Sequence, residues 1–235
     1  MIRTVLRRSA VGCATILGVL STLCLPVAAE TVLSRADFAA QMGDRQSSFL
    51  ARNLTNGEAC ILEGSDLQTR YAPWSTFKIP NTLIALQTGA ADDINTWRDW
   101  NPEQRPAAAF WPEAWKQGHT LETAFQQSAV WYFRDLALEI GATQYRDTLT
   151  AWDYGNAAAP YGSDTFWLGG PLQLSVTEQV TFLTRMLSGT LGVQANHMDD
   201  LVTAAHAGPL GSKTLYGKTG AGRVKAQSFS RSFEG

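Results

Sequence analysis

Ser75 and Lys78, in the run Ser75-Thr76-Phe77-Lys78, have the residue types and spacing of an activated nucleophile. Side chains three apart on a helix share a face, one turn from each other. A serine at a helix start points toward free backbone N–H groups and the positive end of the helix dipole, which stabilise an oxygen anion forming there. The lysine can act as a base only if its amine is neutral. Burial against apolar neighbours lowers a lysine pKa to that end, and Phe77 and Ile79 supply such neighbours. The pair can thus carry covalent nucleophilic catalysis. Taken alone, the same tetrad also describes a capping serine followed by a solvent-facing lysine.

Two more groups narrow the chemistry. Ser128, in Ser128-Ala129-Val130, is a second hydroxyl at the end of a predicted helix, able to pass a proton to a leaving nitrogen if it lies near the first. Lys218-Thr219-Gly220 closes a predicted strand. Lysine brings a fixed positive charge, threonine a hydroxyl donor, and glycine a backbone that a substrate can approach closely. A substrate carrying a carboxylate fits this trio. Singly, these are an ordinary turn serine and a basic strand end. Together and in this order, the three form the signature of penicillin-recognising serine enzymes.

The elements that must position these residues can be read from periodicity. Residues 36–42 suit a short helix. Phe49–Leu54 and Glu58–Leu62 suit two strands around Asn56-Gly57, a hairpin signal, with Cys60 buried in the second. From Ser75, the residues Phe77, Ile79, Leu83, Ile84 and Leu86 recur at helical spacing up to Gly89. Residues 97–118 are rich in tryptophan and proline and read as irregular structure whose Trp97, Trp100, Trp111 and Trp115 pack on the core. Further helices are expected at Leu121–Gln127, Trp131–Glu139, Gln144–Trp152, Thr177–Leu187 with Thr177 as N-cap, and Met198–Ala205. A strand is expected at Lys213–Thr219. Strands toward both ends of the chain around a helical centre imply an α+β domain with a helical lobe beside an antiparallel sheet.

The chain has 235 residues, enough for one large domain or two lobes sharing a core, and its 45% hydrophobic and 17% charged residues are those of a globular protein. A net charge of −2 lacks the basic footprint of a nucleic-acid binder. Arg3, Arg7 and Arg8, the apolar run that follows, and Val27-Ala28-Ala29 read as a signal peptide over residues 1–29, which leaves residues 30–235 as the working domain. Export to the periplasm or medium is therefore expected, with no membrane anchor after cleavage. Cleavage also removes Cys13 and Cys24, leaving Cys60 without a disulfide partner. His119, His197 and His206 are far apart and have no ligand-like spacing, so no metal site is expected.

The sequence resembles the class D β-lactamases, or oxacillinases. The matching segments are Pro73-Trp74-Ser75-Thr76-Phe77-Lys78-Ile79-Pro80-Asn81, Ser128-Ala129-Val130-Trp131-Tyr132, Tyr154-Gly155-Asn156, Phe166-Trp167-Leu168 with Gly170-Pro171-Leu172, and Tyr216-Gly217-Lys218-Thr219-Gly220. The resemblance implies the penicillin-recognising serine enzyme fold and hydrolysis of a small-molecule β-lactam through a Ser75 acyl-enzyme. It further implies that Lys78 takes up carbon dioxide, or bicarbonate, and serves in carboxylated form as the general base. Trp167 would then hydrogen-bond the added group and Val130 would form an apolar wall. Ser128 would carry the proton to the ring nitrogen, and Lys218 and Thr219 would hold the substrate carboxylate. The N–H groups of Ser75 and Ala221 would form the oxyanion hole. Tyr154 and Asn156 would shape the fold. No other cofactor is implied, and a monomer or homodimer is expected.

The family continues past Phe233-Glu234-Gly235 with at least one more strand, a later arginine and a C-terminal helix. The expectation is therefore an incomplete C-terminus, poor stability and weak activity. Three rival readings remain at the level of sequence. One is a β-lactam sensor domain with slow deacylation. The second is a penicillin-binding transpeptidase, which usually has asparagine at the Val130 position. The third is an inactive remnant.

Overall fold

The computed structural model describes residues 29–223. Most of the expected signal peptide, with Cys13 and Cys24, lies outside these residues, as does Phe233-Glu234-Gly235. The architecture is α+β, with seven α-helices and seven strands among the described residues. β1 (Glu30–Leu33), β2 (Leu50–Arg52) and β3 (Ala59–Leu62) form a sheet in the order β1-β3-β2, with β1 parallel and β2 antiparallel to β3. A short 3-10 turn and α1 (Ala39–Met42) occupy the expected 36–42 helix.

The Asn56-Gly57 hairpin forms with shorter strands than its pattern suggests. Asn53 Oδ1 accepts from Thr55 N and Asn56 Oδ1 accepts from Glu58 N, so the asparagines hold the loop in local turns and end the ladder at Arg52. Cys60 lies in β3 as a free thiol but is half-buried, because only Leu62 of this sheet reaches the closed interior.

The core belongs to the helices. A 3-10 turn over Trp74–Phe77 runs into α2 (Lys78–Thr88), which stops at left-handed Gly89. Pro80 is tolerated because it sits in the first helical turn, where no intrahelical partner is lost. All nine residues from Lys78 to Leu86 are buried. Such a helix is the centre of a protein rather than its surface.

Around α2 stand α3 (Leu121–Gln126), α4 (Val130–Ile140), α5 (Ala142–Ala151), α6 (Val176–Leu187) and α7 (Ala195–Ala204). The N-cap of α6 is Ser175, not Thr177: Ser175 Oγ accepts from Glu178 N while Glu178 Oε2 accepts from Ser175 N. Thr177 Oγ1 is used elsewhere, donating to Leu67 O.

The tryptophan-rich stretch holds β4 (Trp97–Arg98) paired with β5 (His119–Thr120), separated by loops and a 3-10 turn. Trp100, Trp111 and Trp115 pack on the core as expected. Trp97 departs from this: it is 57% exposed, lying over Gly118 with its indole bound to Asp99. A strand that the sequence reading missed, β6 (His206–Leu210), pairs with β7 (Lys213–Tyr216). β7 ends at Tyr216 because its partner ends opposite, at His206, and Lys218-Thr219 follows as irregular chain.

Candidate active site

The transition from the 3-10 turn to α2 places Ser75 and Lys78 side by side, with Lys78 Nζ 3.0 Å from Ser75 Oγ. Ser75 is half-buried and reachable, whereas Lys78 is 0% exposed. Burial, reinforced by the nearby positive charge of Lys218, pushes the Lys78 amine down to about 7. The neutral amine is therefore well populated near neutral pH, and its lone pair can accept the Ser75 proton.

Apolar side chains enclose the amine. The Phe133 ring, from α4, lies with its centroid 5.0 Å from Lys78 Nζ. Phe77 stacks on Trp167 at 5.3 Å and meets Phe166 edge-on at 5.3 Å. Trp167 is fully buried, and its Nε1 has no hydrogen-bond partner among the described residues. A buried N–H left unpaired costs roughly 1–3 kcal/mol, so this donor marks a place suited to an acceptor. Val130, the first residue of α4, is half-buried.

Two of the motif segments carry strained backbones. Trp74 has φ 51° and Ser128 φ 59°, left-handed conformations that residues other than glycine rarely adopt. Trp74 is fixed by its N–H to Trp167 O at 3.0 Å and by the close backbones of Gly169 and Gly222, where a Cβ would collide with its ring. Ser128 sits in the turn between α3 and α4, held by Ser128 N to Phe125 O and Ala129 N to Ala124 O. Trp115 braces the same turn: its indole donates to Gln127 O at 2.8 Å, and its own carbonyl accepts from the Trp131 indole at 2.7 Å. No hydrogen bond joins Ser128 to Ser75 or Lys78 among the described residues.

The chain after β7 folds back over the nucleophile turn. A Cβ at Gly220 would fall 2.9 Å from Pro73 O and 3.0 Å from Thr76 N, which is why glycine stands there. Lys218 is half-buried, 5.9 Å from the Phe125 ring centroid, with Nζ donating to Thr219 O; burial lowers its pKa. Thr219 and Ala221 are exposed. Neither Ser75 N nor Ala221 N donates to a backbone carbonyl among the described residues. Ser75, Lys78, Trp167, Gly220 and Lys218 are thus gathered around one turn.

The family model described as penicillin binding protein transpeptidase domain matches residues 47–192. A class D β-lactamase structure from Bacillus subtilis aligns with a TM-score of 0.71 at 31% identity, covering 77% of this chain and 75% of that one. The chain belongs to the class D β-lactamase family. It is 32% identical over 177 residues to the probable β-lactamase YbxI of Bacillus subtilis (strain 168), covering 75% of this chain and 64% of that protein. It is 34% identical over 150 residues to β-lactamase OXA-48 of Klebsiella pneumoniae, covering 64% of this chain and 55% of that protein. The chain therefore spans less than two thirds of the length of these curated relatives.

The class D segment Tyr154-Gly155-Asn156 lies within the fold. Tyr154 is buried against Phe77 and Phe182, with ring centroids 6.0 and 4.8 Å apart. Asn156 clamps the following loop, donating to Pro171 O and accepting from Gln173 N. Sequence reasoning did not find Phe133, the Trp115 brace or the left-handed Trp74 and Ser128; no spacing rule marks them. Among the described residues no cluster of His, Cys, Asp or Glu is arranged to hold a metal ion, and no helix is long and apolar enough to cross a membrane.

Proposed function

We propose that the protein hydrolyses β-lactam antibiotics through Ser75. The observation that carries this reading is a reachable serine hydroxyl 3.0 Å from a fully buried lysine amine held near neutrality. As the Lys78 side chain takes the Ser75 proton, Ser75 Oγ bonds to the ring carbonyl carbon. The N–H groups of Ser75 and Ala221 would receive the developing oxyanion. The ring C–N bond then breaks, and Ser128 delivers its proton to the nitrogen while taking up the one held by Lys78, which returns the lysine side chain to its basic form. Lys218 and Thr219 would hold the substrate carboxylate at the mouth of the site. In deacylation, water attacks the ester, Lys78 takes its proton, and Ser75 leaves with a proton restored.

The residues present also fit carboxylation of Lys78. A neutral, enclosed amine is the form that reacts with carbon dioxide, and Trp167 Nε1 is a buried donor with no acceptor among the described residues. Bound there, the added carboxylate would supply a general base for both half-reactions. Trp167 would hold it, and Phe133 and Phe77 would keep water from it. The leader-like residues 1–29 support action in the periplasm or medium, where antibiotic is met.

A chromogenic β-lactam, offered with and without bicarbonate and followed by intact-protein mass spectrometry, tests the reading. Turnover stimulated by bicarbonate is expected. A long-lived Ser75 adduct would instead identify a sensor or transpeptidase, and the absence of any adduct would refute the nucleophile.

A further inference from the structure

Away from the nucleophile, four charged side chains meet between α4 and two loops. Asp164 Oδ2 accepts from Arg105 Nη1 at 2.7 Å and from Arg134 Nη2 at 2.9 Å, and Arg105 Nε donates to Asp135 Oδ1 at 2.7 Å. The side chains of Arg105 and Asp164 are only 11% and 15% exposed, so this is no loose surface pair. Two cations against two carboxylates balance in charge, and partial burial makes the loss of any one expensive.

The cluster joins the loop ahead of Trp167 to the helix beneath Lys78. Arg134 and Asp135 directly follow Phe133, the residue under the lysine amine. Asp164 stands three residues before Trp167, and that interval is tightly wound: Leu168 N donates to Thr165 O at 2.8 Å and Leu172 N to Phe166 O at 3.1 Å. From the other side Trp167 O accepts from Trp74 N, beside Ser75. Arg105 is itself tethered, its carbonyl accepting from the Trp100 indole. The loop carrying Trp167 is thus tied at one end to the nucleophile turn and at the other to a partly buried ion cluster.

We infer that Asp164, gripped by Arg105 and Arg134, is a positioning residue for Trp167, setting the placement of its indole N–H for the group added to Lys78. The inference rests on the carboxylation reading above. Asp164→Asn keeps the shape of the side chain and removes the charge that Arg134 pairs with and that Arg105 shares with Asp135. The loop then loses its anchor, and a displacement of even 1 Å at a positioned group carries large penalties.

The test is a titration of the full-length protein with 13C-bicarbonate, reading the Lys78 carbamate resonance directly by NMR. Asp164→Asn is expected to need on the order of 10-fold more bicarbonate for half-saturation. In a Trp167→Phe background the same substitution should add nothing, because its effect passes through Trp167. Arg134→Gln, which leaves Arg105 in place, should give a smaller shift in the same direction and serves as the second variant should Asp164→Asn fold poorly. An unchanged midpoint in a folded Asp164→Asn or Arg134→Gln protein, or additive shifts with Trp167→Phe, would overturn the inference alone. Lack of a carbamate resonance in the unaltered protein would overturn the carboxylation reading and this inference with it.

Discussion

Replacing Lys78 by methionine should make the protein more stable while removing its activity. Lys78 is fully buried, and its amine falls from 10.5 to about 7, chiefly through desolvation. At about 1.4 kcal/mol for each tenfold change in proton affinity, this is a cost on the order of 5 kcal/mol at neutral pH. Methionine has nearly the same length and no charge to desolvate, and it forfeits one hydrogen bond to Ser75, worth about 1 kcal/mol. A net gain of roughly 4 kcal/mol at neutral pH follows.

The pH dependence gives the sharper test. Between about 7 and 10.5 the unfolded chain keeps a proton on Lys78 that the folded protein has released. The stability of the unaltered protein therefore rises with pH across this window, and the cost is absent above it. Below the window both states are protonated and the full cost persists. The methionine variant lacks this titration. Urea unfolding of both proteins in buffer free of carbon dioxide, at the two ends of the window, should show a large advantage for methionine at the acid end that closes at the alkaline end. Methionine being the less stable at neutral pH, or an advantage that does not change with pH, would show that the lysine is not held neutral by burial.

Ser75→Ala should yield no covalent adduct with a β-lactam by mass spectrometry while retaining the circular dichroism of the parent. Trp167→Phe removes a donor that has no partner among the described residues, so the lost N–H should cost no stability beyond that of the smaller ring, yet the bicarbonate needed for half-maximal turnover should rise. Lys218→Gln should raise the pKa of Lys78, since Lys218 is the second cause of its depression; the alkaline shift of the rising limb in a pH–rate profile measures it. Gly220→Ala should lower thermal stability and activity together, by about 1–3 kcal/mol in stability, because the added carbon would press on Pro73 O and Thr76 N.

What could be read from the sequence divides by physical range. The α2 helix announces itself through periodic apolar residues and Gly89, and the Ser75–Lys78 contact follows from helical geometry alone. Local signals also located α3 to α7 to within a few residues. Where two local rules competed, the outcome depended on neighbours distant in sequence. Thr177 and Ser175 are both good caps, and Leu67 decided between them by engaging Thr177. Trp97 and Trp100 look alike in sequence, yet one is exposed and the other bonded to Arg105 O. β6, with Gly208 and Pro209 inside it, has the composition of a turn and becomes a strand only because β7 pairs with it.

The left-handed residues extend this argument from fold to site. Nothing in the local preferences of Trp74 or Ser128 favours positive φ, and each such conformation costs roughly 1–3 kcal/mol. Each persists because several independent contacts demand it. Trp74 is held by Trp167 O and by two glycines from separate loops, and Ser128 by helix-end hydrogen bonds and the Trp115–Trp131 brace. The residues doing the holding come from the 97–118 stretch, the Trp167 loop and the chain after β7. The nucleophile pair is therefore local, whereas the strain around it is maintained by the whole lobe. Substitutions at the distant braces should thus impair the site before they unfold the protein, because the strained turns can relax at a smaller cost than the core can open.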